Sequence, residues 1–164
     1  MNKIEVLGLG SGDIEQLPLG VYRKLLDANE IIYTRTLDHP VIGTLQKEGV
    51  QFHSFDTFYE EAEDFAEVYD RIVAFLLDKA ETSPVIYTVP GHPMLAEKTV
   101  QLLLEQEEVE VEISGGHSYL DALFTSLQID PIDGFQFVDA TSFERRHLND
   151  ESHLSCCQVY DAFI

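Results

Sequence analysis

Three short stretches of this chain carry residue types that a plain connection does not need. Gly8-Leu9-Gly10-Ser11-Gly12-Asp13 follows a run of β-formers that starts near Ile4. Val89-Pro90-Gly91-His92-Pro93 follows Val85-Ile86-Tyr87-Thr88, and Ser114-Gly115-Gly116-His117-Ser118 follows Val109 to Ile113. Glycine after a strand lets the backbone approach a ligand closely, and amides opening a helix attract anions. Pro90 and Pro93 each fix a backbone φ, and Gly91 removes a side chain where another group must lie. A loop stiffened in this way loses less entropy on binding. Met94 and Leu95, next in the chain, suit a flat apolar ligand. The adjacent Gly115 and Gly116 permit close approach, and Ser118 suits a helix cap. The Asp13 carboxylate suits a cap on the turn that follows, or a pairing with an arginine.

Periodicity predicts the elements that must hold these loops. Strands are expected at 3–9, 30–34, 50–54, 84–88 and 109–113. Helices are expected from Pro18 to about Asn29, from Pro40 to about Glu48, from Glu60 to Ala80 and from Met94 to about Gln106. In the third helix Phe65, Val68, Ile72, Phe75 and Leu76 recur at spacings of three and four. Five strands alternating with four helices imply an α/β fold: a mostly parallel five-stranded sheet with helices on both faces. Ligands bind beyond the carboxyl ends of such strands, where all three loops fall. After residue 118 the pattern changes: a helix over 119–127, a turn cluster at 130–134, a strand over 135–139 and a strand from His153 into the terminus. The expected division is an α/β domain over 1–114, holding the glycine loop, and the start of a second over 115–164. The uncapped apolar end, Ala162-Phe163-Ile164, reads as a chain stopping partway through that second domain.

Composition narrows the function classes. The chain is 45% hydrophobic, enough to build a core. No apolar run approaches the ~20 residues that span a bilayer, and the start does not read as a secretory signal. Thirty acids against ten bases give a formal charge of −20. Such a surface repels phosphate backbones and anionic lipid, so neither nucleic acid nor membrane is expected as a partner. The two cysteines, Cys156 and Cys157, are adjacent and read as reduced strand residues, which places the protein in the cytoplasm. No metal is expected. No histidine pair has i,i+4 spacing, and Glu60, Glu61, Glu63, Asp64 and Glu67 interleave with Phe65 and Val68 as an outward helix face does. His39 reads as part of a helix entry, His53 as a strand residue, and His147 and His153 as solvated. A dinucleotide site fits poorly: Asp13 stands where the G-x-G-x-x-G fingerprint has its last glycine. The second strand also ends Tyr33-Thr34-Arg35, without a carboxylate for a ribose.

The three motifs together resemble the tetrapyrrole (corrin/porphyrin) methylase family. That family carries a G-x-G-x-G-D loop after its first strand, a Gly-Asp-Pro-like loop after its fourth and a Pro-Gly-x-(Ser/Thr)-like segment after its fifth. Here these stand as GLGSGD (8–13), PGHP (90–93) and SGGHS (114–118). The resemblance is closest to the methylase-like half of bacterial fusions with a MazG-type nucleoside triphosphate pyrophosphohydrolase, a likeness the segment RTLDHPVI (35–42) shares. It implies an S-adenosylmethionine-dependent methyltransferase that binds its cofactor between two α/β domains, as a homodimer. The cofactor would rest against Pro90, Gly91, His92 and Leu95, and against His117 and Ser118. Gly10, Ser11, Gly12 and Asp13 would face a small-molecule methyl acceptor, a tetrapyrrole in the family, and the second domain would add a contact near Tyr160. For an acceptor that must lose a proton, Asp13 would be the catalytic base, with Tyr33 second by position.

The chain departs from the family pattern at His92, where many members have aspartate, and at Gly116 and His117. Its acidity also suits a polycarboxylate acceptor poorly, and Arg23, Arg35, Arg145 and Arg146 are the few cations to offset it. Two functions therefore stand open: the methyltransferase, and a non-catalytic regulatory or dimerisation domain attached to a pyrophosphohydrolase. A nucleotide-binding oxidoreductase is the weaker third.

Overall fold

The computed structural model describes residues 2–62, 64–141, 148–149 and 151–159. Glu63, residues 142–147 with Glu144, Arg145, Arg146 and His147, and the residues from Tyr160 to Ile164 lie outside them. Five strands, β1 (Lys3–Gly8), β2 (Ile31–Thr34), β3 (Phe52–Ser54), β4 (Val85–Val89) and β5 (Glu110–Ser114), build one sheet. Its order is β3-β2-β4-β1-β5, and every pairing is parallel. The expected α/β architecture is therefore the observed one. The strands that carry the three loops are the adjacent trio β4-β1-β5, with β1 in the middle.

Alternation along each strand builds two apolar layers. Ile4 and Val6 of β1, Tyr33 of β2 and Val85, Tyr87 and Val89 of β4 face one side. There they meet Val68, Ile72, Leu76 and Ala80, spaced by four along α4 (Phe65–Thr82), and Val100 and Leu103 of α5 (Lys98–Leu104). Leu7, Ile32 and Ile86 face the other side, against Val21 and Leu25 of α1 (Leu19–Asp27) and Val41, Ile42 and Leu45 of α2 (Pro40–Lys47). Each fully buried aliphatic side chain contributes about 1.5–3 kcal/mol, so this double layer makes the strand ends a firm platform. Glu5 points to the second layer and is buried there, paired with Lys24 of α1. On the edge strand β5, Glu110 and Glu112 are exposed, charges that discourage pairing with another sheet.

Two helices differ from the periodicity. The stretch expected as one helix over 60–80 is two, α3 (Asp56–Glu61) and α4. Asp64 is extended and its carboxylate accepts the Glu67 N–H at 2.9 Å, so a cap starts a new helix inside the periodic run. The acids around it are engaged with a cation: Arg71 lies 2.8 Å from Glu61 and 3.9 Å from Glu67. The helix after β4 begins at Lys98, four residues later than Met94. The Leu95 N–H bonds the His92 carbonyl at 3.0 Å and Ala96 takes φ +57°, a left-handed turn that a helix cannot contain. For a residue other than glycine that conformation costs about 1–2 kcal/mol.

The chain divides into two compact units between Asp121 and Ala122. In the second, the carboxyl half of α6 (Tyr119–Leu127) sets Phe124 edge-on to Phe135, ring centres 5.0 Å apart. Strands β6 (Phe135–Asp139) and β7 (His153–Cys157) pair in parallel. β7 ends at Cys157, and Gln158 has φ +61°. Cys156 and Cys157 are free thiols on successive positions of that strand. Among the described residues no helix is long and apolar enough to cross a membrane.

Candidate functional site

The loops after β1, β4 and β5 meet backbone to backbone. Gly10 and Gly91 form an isolated antiparallel bridge: the Gly10 N–H donates to the Gly91 carbonyl at 3.1 Å and the Gly91 N–H to the Gly10 carbonyl at 2.8 Å. A Cβ on Gly8 would lie 2.6 Å from the Gly91 carbonyl oxygen and 2.8 Å from the Gly116 nitrogen. A Cβ on Gly116 would lie 2.7 Å from the Gly8 carbonyl oxygen and 2.8 Å from that of Gly91. Gly8 and Gly116 are thus glycine because three backbones occupy the space a side chain would take. Gly91 differs. Its φ is +67° and nothing stands within 4 Å of its open side. Pro93 is buried, its ring against Gly8.

Beside this junction lies a cavity of about 560 Å³, a volume that suits a small organic ligand. His92, Met94 and Leu95 form one wall, Gly115 to Ser118 another, and Pro18, Leu120 and Asp121 close the rim. Of the residues expected to hold a cofactor, His92, Leu95, His117 and Ser118 line it. Pro90 and Gly91 do not line it; Gly91 belongs to the loop junction. The His92 ring accepts the Met94 N–H on Nδ1 at 3.1 Å, which leaves the proton of the neutral ring on Nε2. An aspartate accepts the N–H two residues on in the same way, so histidine preserves the turn. Nε2 lies 2.9 Å from where a Gly115 Cβ would stand. Ser118 and Asp121 make a reciprocal cap on α6. Ser118 Oγ accepts the Leu120 N–H at 3.2 Å, and Asp121 Oδ2 accepts the Ser118 N–H at 2.8 Å.

The first glycine loop is held from the other side. His39, just before α2, donates from Nε2 to the Gly10 carbonyl at 3.1 Å; its Nδ1 is buried without a partner among the described residues. Burial holds the His39 ring below its ordinary value, outweighing the Gly10 carbonyl and Asp38. Asp13 is exposed, and its carboxylate accepts the Glu15 N–H at 2.9 Å as the cap of a short 3-10 turn. Ser11 is exposed, and Gly12 packs against Pro40. None of Gly10, Ser11, Gly12 and Asp13 lines the cavity.

A second polar group sits at the same end of the sheet. Arg35, just past β2, lies 2.6 Å from the Glu97 carboxylate, which is 7% exposed. It is therefore engaged rather than free to receive an anion. Burial pulls Arg35 down, but Glu97 and the hydroxyls of Tyr59, Tyr87 and Tyr69 hold it above its ordinary value. Burial pushes the Glu97 carboxyl up to about 7, against the pull of Arg35. Burial likewise pushes Tyr59 up to about 12 and raises Tyr87, whose hydroxyl lies 3.1 Å from Thr99 Oγ1. This pair escapes sequence reading. The only signal is one acid and one base 62 residues apart.

A five-stranded parallel sheet of this order, with glycine-lined loops meeting at the ends of β4, β1 and β5, defines an α/β architecture. A profile of the Tetrapyrrole (Corrin/Porphyrin) Methylases matches residues 3–160, and the chain belongs to that family. It is 50% identical over 162 residues to the Bacillus subtilis (strain 168) protein YabN, covering 97% of this chain and 33% of that one. The chain thus spans about a third of that relative's length. Among solved structures it is similar to the cobalamin biosynthesis precorrin-6Y methylase of Archaeoglobus fulgidus. That match has a TM-score of 0.64 and 18% identity over 95% of this chain and 73% of that one. It is also similar to the Thermus thermophilus uroporphyrin-III C-methyltransferase complexed with S-adenosylhomocysteine. Here the TM-score is 0.55, with 24% identity over 84% of this chain and 55% of that one. These likenesses show the fold.

Two outcomes test this geometry. Gly116→Ala is expected to cost about 2–4 kcal/mol in denaturant unfolding. Gly43→Ala, at an exposed helical position in α2 with nothing within 4 Å, is expected to stabilise by about 0.5–1 kcal/mol. Equal effects would contradict the junction. The second concerns pH. A carboxyl raised in the fold from 4.5 to about 7 binds a proton there that the unfolded chain has released. Stability therefore falls as pH rises through that window, with a slope of at most about 1.4 kcal/mol per pH unit. Unfolding of Glu97→Gln from pH 5 to 7.5 is expected to lose that part of the slope, and an unchanged slope would contradict it.

Proposed function

We propose that the cavity beside Gly91 holds S-adenosylmethionine and that the chain is the cofactor-binding part of a methyltransferase. The observation that carries this reading is the cradle itself. Glycine backbone at 115 and 116, the apolar side chains of Met94, Leu95 and Leu120, and the imidazoles of His92 and His117 border about 560 Å³ of space. A side chain on Gly115 would displace the His92 ring. An adenosyl group asks for apolar contacts along its faces and a few polar contacts at its edges. Family membership supports the same reading, and the Thermus thermophilus neighbour is a complex with S-adenosylhomocysteine.

Bound there, the cofactor would supply an activated methyl on a sulfonium. The chain's own work is then to bind, orient and exclude water. Met94 and Leu95 cover the ligand from the β4 side and Leu120 from the β5 side. His92 Nε2–H donates where an aspartate would accept, so it suits a ribose oxygen or a carboxylate. Asp13 is an exposed cap, so its part in any proton removal is the weaker half of the proposal. Gly10, Ser11 and Gly12 remain the proposed acceptor-side loop.

The reading includes a small-molecule acceptor, possible tetrapyrrole chemistry among them, a homodimer and a cytoplasmic setting, all carried from the sequence and its resemblance. The link to a MazG-type pyrophosphohydrolase, and with it a purely regulatory role, rests on sequence likeness alone, and no observation above adds to it.

Calorimetry of the intact protein with S-adenosylhomocysteine tests the proposal. Binding is expected, and His92→Leu, which removes both the donor and the turn acceptor, is expected to weaken it about tenfold. No binding by the unaltered protein would overturn it.

A further inference from the structure

The loop that walls the cavity has two ends, and they are fixed by different means. At its start, Gly91 is bridged to Gly10. At its finish stands Glu97, whose carbonyl accepts the Gln101 N–H at 3.2 Å and whose side chain turns away from α5 to reach Arg35. Between these points run His92, Met94 and Leu95, which face the cavity, and Ala96 in its left-handed conformation. An alanine holds that conformation only where its surroundings impose it. Both neighbours of Ala96 are tied: the Leu95 N–H to the His92 carbonyl, and the Glu97 side chain to Arg35.

Glu97 makes no sense as a helix cap. It stands at the cap position of α5, yet its side chain makes no capping bond there. Burying a carboxylate costs more than an exposed cap would gain, unless a partner offsets it. Arg35 is that partner, and it is itself held by its backbone, whose N–H donates to the Thr88 carbonyl of β4 at 3.0 Å. The neighbouring loop is anchored as well: Asp56 accepts the Leu37 N–H at 3.0 Å. Arg35 is thus a fixed post on the sheet, and Glu97 ties the far end of the cavity wall to it.

We infer that Arg35 and Glu97 are positioning residues that hold the 92–97 loop in the shape that binds the adenosyl ligand. The inference rests on the proposed cofactor reading for the ligand, but not for the loop. Neither residue touches the cavity; each acts through Met94 and Leu95. Because the pair works as a unit, removing either partner frees the same loop end, and removing both adds little. Glutamine at 97 keeps an oxygen for the Arg35 N–H and holds the loop in part.

The test measures S-adenosylhomocysteine affinity and backbone hydrogen exchange on the intact protein and its variants. Glu97→Leu and Arg35→Met are each expected to weaken binding about tenfold. The double variant should be no weaker than the worse single, and Glu97→Gln should stay within about threefold of the unaltered protein. Lys24→Met leaves the buried Glu5 carboxylate without its partner, at a pair remote from this loop. That control should lower the melting temperature while leaving affinity unchanged, which separates positioning from general loss of stability. Exchange at residues 94–97 should quicken in Glu97→Leu and not in the control. If the unaltered protein binds no S-adenosylhomocysteine, the cofactor reading fails and exchange alone decides the clamp. Exchange at 94–97 that is the same in Glu97→Leu as in the unaltered protein overturns the inference. So does undiminished affinity in both single variants.

Discussion

The close approach of three backbones, at Gly8, Gly91 and Gly116, is the constraint on which the rest of this molecule depends. Parallel strands β4, β1 and β5 deliver their chains to one level, since Gly8 pairs in register with Val89 and Leu7 with Ser114. There the chains must turn outward at once, and no side chain fits between them. A single methyl group at 8 or 116 would sit 2.6–2.8 Å from backbone atoms, which cannot yield as the tip of a long side chain can. The junction then fixes where the next residues go. Pro93 is pressed into it, and His92 and Leu95 are carried to the cavity side.

Polar groups at this end of the sheet extend that constraint outward. His39 bonds Gly10, Gly10 is bridged to Gly91, and Arg35 holds Glu97. Each link ties a connection that would otherwise be free to an element with a buried face. The loops that form the wall are therefore held at several points by contacts within the protein itself. Preorganisation of this kind lowers the entropy lost on binding. The formal charge of −20 plays a smaller part here. The acids seen closely are caps or partners, as Asp13, Asp64, Glu61 and Glu97 illustrate.

Much of this was legible in the sequence, and the reasons are specific. Strand and helix order followed from alternation and from spacings of three and four, because each element buries one face. The three loops stood out because glycine and proline are costly residues unless a turn or close contact requires them. Their adjacency was not legible, since strand order 3-2-4-1-5 is a tertiary outcome. Glycines after a strand suggest room for a ligand; Gly8 and Gly116 also make room for one another's backbone. The division between α3 and α4 and the late start of α5 were hidden because local caps and turns overrode an apolar period that runs on past them. The Arg35–Glu97 pair left no trace in any motif.

The most direct test of the account is a crystal structure of the intact protein grown with S-adenosylhomocysteine. The account predicts the adenosyl group lying between residues 92–95 and 115–118, with the contacts among Gly8, Gly91 and Gly116 unchanged. Electron density for the ligand at another place, or a slot closed by the protein's own side chains, would contradict it.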